Sequence, residues 1–101
     1  MTEGGFSSIF LRMKLISLNR IDNVAVALCD LQAGQEVTLT DGSVLTLRDD
    51  IAFGHKVAVR SIDEGEKVLK YGLPIGSATR DIEEGEHVHE QNLKSDYVWS
   101  L

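Results

Sequence analysis

Apolar residues in this chain come in short runs separated by turns, a pattern that favours strands over helices. Leu11-Arg12-Met13-Lys14-Leu15 alternates apolar with polar residues at the period of a half-buried strand. Between Thr38 and Leu47, Asp41-Gly42 stands between two β-favouring runs and predicts a hairpin. In His55-Lys56-Val57-Ala58-Val59-Arg60 the valines fall on one face with His55, and Lys56 and Arg60 on the other. No window of a dozen residues holds clean i, i+3, i+4, i+7 apolar positions. The Ala-rich stretch from Asn23 to Leu31 is the one candidate for a short helix.

One short pattern recurs four times: an acid or Ser, then Ile or Leu, two residues, Gly, two residues and Val. The copies are Asp30 to Val37, Asp50 to Val57, Ser61 to Val68 and Asp81 to Val88. Their glycines, Gly34, Gly54, Gly65 and Gly85, are 20, 11 and 20 residues apart, which groups the copies into two pairs offset by 31. Each copy reads as an apolar anchor, a tight turn at a glycine free to take positive φ, and a short strand. The chain is therefore expected to be a mostly β domain of short strands and Gly turns built from two related halves. Residues 1–10 read as a flexible tail, 11–93 as the domain and 94–101 as a second tail, with Tyr97-Val98-Trp99-Ser100-Leu101 a candidate docking segment because aromatic residues are enriched in interface cores.

Composition narrows the function. A chain of 101 residues allows one domain, and its net charge of −6 without a Lys/Arg block argues against a nucleic-acid or anionic-membrane partner. No apolar run approaches the ~20 residues of a spanning helix, and no basic segment precedes a long apolar stretch at the N-terminus, so the expected location is cytoplasmic. Cys29, the single cysteine, ends the apolar run from Val24 and is expected to be a buried, inert thiol.

All three histidines follow repeat glycines: His55 after Gly54, and His87 and His89 after Gly85. A His-x-His pair can offer two imidazoles to a metal or move a proton near its ordinary pKa of about 6.5, although a third ligand would be needed for a metal site. The 31-residue offset makes His87 the counterpart of Lys56. Lys70 and Tyr71 open a constrained loop, Lys70 to Thr79, that holds the single proline, and these two side chains suit a carboxylate or a sugar hydroxyl. The acidic clusters around Gly65 and Gly85 read as solvated turns, because adjacent exposed carboxylates have nothing to shift their pKa.

Five segments, taken in order, resemble the N-terminal SAF-type domain of the altronate and galactarate dehydratase family. They are Asp22-Asn23-Val24-Ala25-Val26-Ala27, Leu47-Arg48-Asp49-Asp50-Ile51, Gly54-His55-Lys56-Val57-Ala58, Lys70-Tyr71-Gly72-Leu73-Pro74-Ile75-Gly76 and Gly85-Glu86-His87-Val88-His89. The resemblance runs from about Leu15 to Asn92 and implies a compact β-clip fold. It also implies a component of a carbon–oxygen lyase that removes water from a hexonate or hexarate. In that reading His55, His87 and His89 are catalytic, Lys56, Lys70 and Tyr71 hold the anionic sugar acid, and His87 and His89 bind a divalent metal, iron or manganese. Such dehydratases carry a large catalytic domain after this module, which 101 residues do not supply, so a large catalytic chain or domain is the expected partner. The same resemblance embraces the small subunit of (S)-sulfolactate sulfo-lyase, and a non-catalytic sugar-acid-binding module is the remaining alternative.

Overall fold

The computed structural model describes residues 13–96, and among them the regular structure is entirely β. The strands are β1 (Leu15–Ile16), β2 (Val24–Ala27), β3 (Glu36–Thr38), β4 (Val44–Thr46), β5 (Lys56–Ala58), β6 (Lys67–Lys70), β7 (Leu73–Ala78), β8 (His87–Val88) and β9 (Leu93–Lys94). They pair antiparallel in three sheets, ordered β1-β2-β5-β8, β3-β4 and β6-β7-β9. The expected all-β domain of short strands and glycine turns is what forms.

The four repeat copies build four equivalent turns. In each, an N–H three residues on bonds back to a carbonyl: Gln35 to Gln32, His55 to Ala52, Glu66 to Asp63 and Glu86 to Glu83, at 2.9–3.1 Å. The third residue of each turn is the glycine, with φ between +84° and +90°, the geometry of a type II turn, where a side chain is disfavoured. Asp30 and Asp50 lock the first pair of turns together, accepting from the Phe53 and Ala33 N–H groups at 2.8 and 2.9 Å. Asp81 repeats this on the Glu64 N–H at 2.8 Å. The acidic clusters are turn-builders, as expected: Glu66 accepts from the Asp63 N–H, and Glu86 accepts from the Glu83 N–H while pairing with Arg80.

The 31-residue offset is structural as well as textual. It carries β2 onto β5, β5 onto β8, and the β3–β4 hairpin onto β6–β7. It also carries the bridge Leu31–Ile51 onto Ile62–Ile82. The result is two cores rather than one. Leu31, Val37, Ile51 and Val57 belong to the first, and their counterparts Ile62, Val68, Ile82 and Val88 to the second. Each such residue withdrawn from water contributes roughly 1.5–3 kcal/mol of transfer free energy. β2 and β5 lie between the cores: Ala25, Ala27 and Val57 face the first, Val24 and Ala58 the second.

Three expectations are corrected. Asn23–Leu31 forms no helix; its centre is β2, and its alanines are small because both faces of that strand are covered. Cys29 is exposed, since the buried run stops at Ala27 and the chain bends away before Asp30. The opening strand is confined to Leu15–Ile16, and Leu11 and Arg12 lie outside the described residues, as do the 1–10 tail and Tyr97-Val98-Trp99-Ser100-Leu101. At the other end β9 spans Leu93–Lys94, and Asp96 accepts from Ser77 Oγ and pairs with Lys67 at 2.6 Å. The predicted hairpin forms, with Val44 opposite Thr38 and the Asp41 carboxylate bonded to the Ser43 N–H and hydroxyl.

Candidate functional site

Register brings the three histidines together. Val57 of β5 stands directly opposite His87 of β8, and opposed residues of an antiparallel pair project to the same side. His55, two residues before Val57, shares that side, as does His89, two residues after His87. The imidazole centroids are 5.1 Å apart for His55–His87, 5.2 Å for His55–His89 and 5.7 Å for His87–His89. His55 Nδ1 and His87 Nε2 are hydrogen-bonded at 2.9 Å. His55 and His87 are half-buried and His89 is exposed.

The backbone of β8 is fixed by side chains that sequence reasoning missed. Asp49 accepts from the His87 N–H at 2.9 Å. The fully buried Asn92 accepts from the His89 N–H at 3.0 Å and donates to the His87 carbonyl at 2.9 Å. Gln91 Nε2 donates to the same carbonyl at 3.1 Å and meets His87 Nδ1 at 3.2 Å. Burial, then the fields of His55 and His89, hold the His87 pKa below its ordinary value; Asp49 opposes them and Lys56 adds to them.

The expected substrate-binding residues form a second, adjoining group. Lys56 leaves β5 on the opposite side from His87 and is half-buried; desolvation and then the charge of Lys70 lower its pKa. Lys70 ends β6, with its Nζ 5.2 Å from the centroid of the Tyr71 ring. Tyr71 and Gly72, at φ +56° and +79°, make the two-residue turn into β7. That turn is anchored by the buried carboxylate of Asp22, which accepts from the Tyr71 N–H at 2.9 Å and the Gly72 N–H at 2.7 Å. The loop read from the glycines and Pro74 is thus a hairpin, with Asp22 as its missed support.

The three imidazoles thus cluster on one side of β5, while Lys56 stands on the other, within electrostatic reach of both His87 and Lys70. The larger hollow, about 410 Å³ and lined by Leu15, Leu18, Asn19, Leu39 and Arg60 among others, contains none of the six expected site residues. Among the described residues no three His, Cys, Asp or Glu side chains are arranged to hold a metal ion, and both ring nitrogens of His87 are already engaged. The residues present do not by themselves make a seat for iron or manganese. Among the described residues, too, no helix is long and apolar enough to cross a membrane.

The described residues thus form a two-core, duplicated β domain with three clustered imidazoles. Comparison with known proteins gives it a family. The profile of the altronate/galactarate dehydratase SAF domain matches residues 13–96, and the chain belongs to that family. It is 51% identical over 83 residues to altronate dehydratase of Escherichia coli (strain K12), covering 82% of this chain and 17% of that protein. Against altronate dehydratase of Bacillus subtilis (strain 168) the identity is 44% over 80 residues, 79% of this chain and 16% of the relative. The chain thus spans about one sixth of the length of these relatives. It is also 45% identical over 49 residues to the (2R)-sulfolactate sulfo-lyase subunit alpha of Chromohalobacter salexigens, 48% of this chain and 52% of that subunit. The sulfo-lyase relative is named for the (2R) acid, not the (S) acid expected from the sequence.

Proposed function

We propose that this domain is the accessory component of a sugar-acid hydro-lyase of the altronate dehydratase type, and that its imidazoles and lysines complete an active site on a larger catalytic chain or domain. The observation that carries this reading is the convergence of the His55, His87 and His89 imidazoles, with Lys56 within electrostatic reach of His87 and Lys70 of Lys56. Removing water beside a carboxylate needs a base for the α proton, an acid for the departing hydroxyl and cations for the anionic substrate. The imidazoles suit the proton transfers, and Lys56 and Lys70 suit the carboxylate. An exposed cluster cannot exclude water alone, which is why the reading requires a covering partner. If the enzyme uses a divalent metal, this domain supplies at most part of its ligand set.

The match to a separate sulfo-lyase α subunit favours one second reading, a free-standing small subunit of a lyase that expels sulfite instead of water. Both are tested by reconstitution with the cognate large chain and assay on altronate, galactarate and sulfolactate. Replacing His87 and His89 together with Ala is expected to abolish turnover while the domain stays folded. Wild-type activity in that variant would overturn the catalytic role, and binding of a sugar acid by the domain alone would favour a non-catalytic binding module.

A further inference from the structure

Gln91 touches the imidazole cluster and has no place in the reading above. Its Nε2 donates to the His87 carbonyl at 3.1 Å and lies 3.2 Å from His87 Nδ1. A carbonyl oxygen only accepts, so the amide turns its NH2 end toward His87. The two hydrogens of that group serve two acceptors, and His87 Nδ1 therefore carries a lone pair. A neutral imidazole with a bare Nδ1 keeps its proton on Nε2. That nitrogen faces His55 Nδ1 at 2.9 Å, so His55 accepts there and keeps its own proton on Nε2. His55 Nε2 has no hydrogen-bond partner among the described residues.

We propose that Gln91 is a positioning residue that sets the tautomer of both rings, so that His55 presents an Nε2–H donor to an oxyanion of the ligand. The opposite arrangement would set the Gln91 amide against a His87 N–H, two donors at 3.2 Å. A doubly protonated His87 meets the same opposition, in keeping with the lowered pKa of that ring. Asn92 also donates to the His87 carbonyl, at 2.9 Å, so changing Gln91 leaves that oxygen satisfied and acts on the ring. The tautomer assignment stands on geometry alone; the use of His55 as a donor to substrate rests on the proposed function.

The test is nitrogen-15 NMR of the histidine rings in the full 101-residue chain, above the pH at which imidazoles titrate. The wild type is expected to show His55 and His87 as Nε2–H tautomers in roughly two- to tenfold excess, the bias that one net hydrogen bond confers. In Gln91→Glu the side chain can only accept. It draws the proton to His87 Nδ1, His87 Nε2 then accepts from His55 Nδ1–H, and His55 Nε2 is left bare. Both rings are expected to switch together. Gln91→Leu removes the partner without reversing it and is expected to erode the excess at His87, which keeps the test decisive should the Glu variant not fold. An Nδ1–H tautomer at His87 in the wild type, or a Glu variant in which His55 does not follow His87, overturns the relay. In the reconstituted enzyme Gln91→Glu is expected to raise KM for the anionic substrate more than Gln91→Leu does. Switched tautomers with unchanged kinetics would remove His55 from substrate binding and leave the tautomer assignment standing.

Discussion

Gly54 and Gly85 are equivalent by the 31-residue offset, yet alanine is expected to cost very different amounts at the two. Their φ angles are +84° and +90°, so a Cβ is disfavoured at each by about 1–2 kcal/mol. At Gly54 that is the whole cost, because a Cβ there would meet no heavy atom within 4 Å. At Gly85 the Cβ would strike the carbonyl oxygen of Thr46, a backbone atom of β4. That strand cannot recede freely, because the Gly85 carbonyl also accepts from the Arg48 N–H at 2.9 Å and the Gly85 N–H donates to Ala58 at 2.8 Å. Forcing extra volume into such a contact adds about 1–3 kcal/mol, giving roughly 2–5 kcal/mol for Gly85→Ala. A domain of this size has about 5–15 kcal/mol in all, and each kcal/mol moves Tm by roughly 4–8 °C. Thermal and denaturant unfolding of the two variants, followed by circular dichroism, is expected to place Gly85→Ala at least about 4 °C below Gly54→Ala. Equal midpoints would show that the Thr46 contact yields without cost and would refute the reasoning.

Two further outcomes follow from groups around the site. Burial, with the charges of His55, His89 and Lys56 outweighing Asp49, holds the His87 pKa below 6.5 in the fold, so the unfolded chain takes up the proton more readily. The His87 contribution is then fully present above about pH 6.5 and is lost as pH falls through the depressed folded value. Denaturant midpoints between about pH 8 and pH 5 are expected to fall less steeply in His87→Gln than in the wild type, and parallel slopes would count against this. Asp22→Asn replaces one of the two carboxylate oxygens that receive the Tyr71 and Gly72 N–H groups with an amide NH2 and sets two donors against each other in a half-buried position. The expected loss is about 1–3 kcal/mol in chemical unfolding, and an unchanged midpoint would mean that water replaces the bond.

Much of the fold was legible because glycine turns punctuate the chain at fixed intervals and the physics of a positive-φ turn is local. The Asp41-Gly42 hairpin and the pairing of the halves followed from the same kind of signal. What misled was composition read without its surroundings. Val24 to Ala27 is rich in alanine because two cores press on one strand, and helix propensity says nothing of that. Cys29 looked buried because it ends an apolar run, but the strand had already finished. The candidate site was half legible: His87 and His89 are neighbours in sequence, whereas His55 joins them only through the register that sets Val57 opposite His87. Asp22, Asp49, Gln91 and Asn92 were missed because each acts on backbone or ring atoms far away in sequence or across a turn, and nothing in their local pattern distinguishes them from surface polar residues. Asn92 alone left a trace, sitting three residues after His89, the spacing at which a side-chain amide closes a turn.

The placement of β2 and β5 between the two cores bears on how the domain comes apart. Neighbouring residues of β5 are assigned to different halves, Val57 to one and Ala58 to the other. Neither half can open without stripping the shared strands from its twin, so local unfolding is confined to the hairpin tips, and amide protons of β2 and β5 are expected to exchange only through global unfolding. The imidazole cluster grows from the end of this shared seam. A partner that clamps His55 and His87 therefore grips both repeats at once, and its binding energy is felt as stabilisation of the entire domain rather than of the strand it touches.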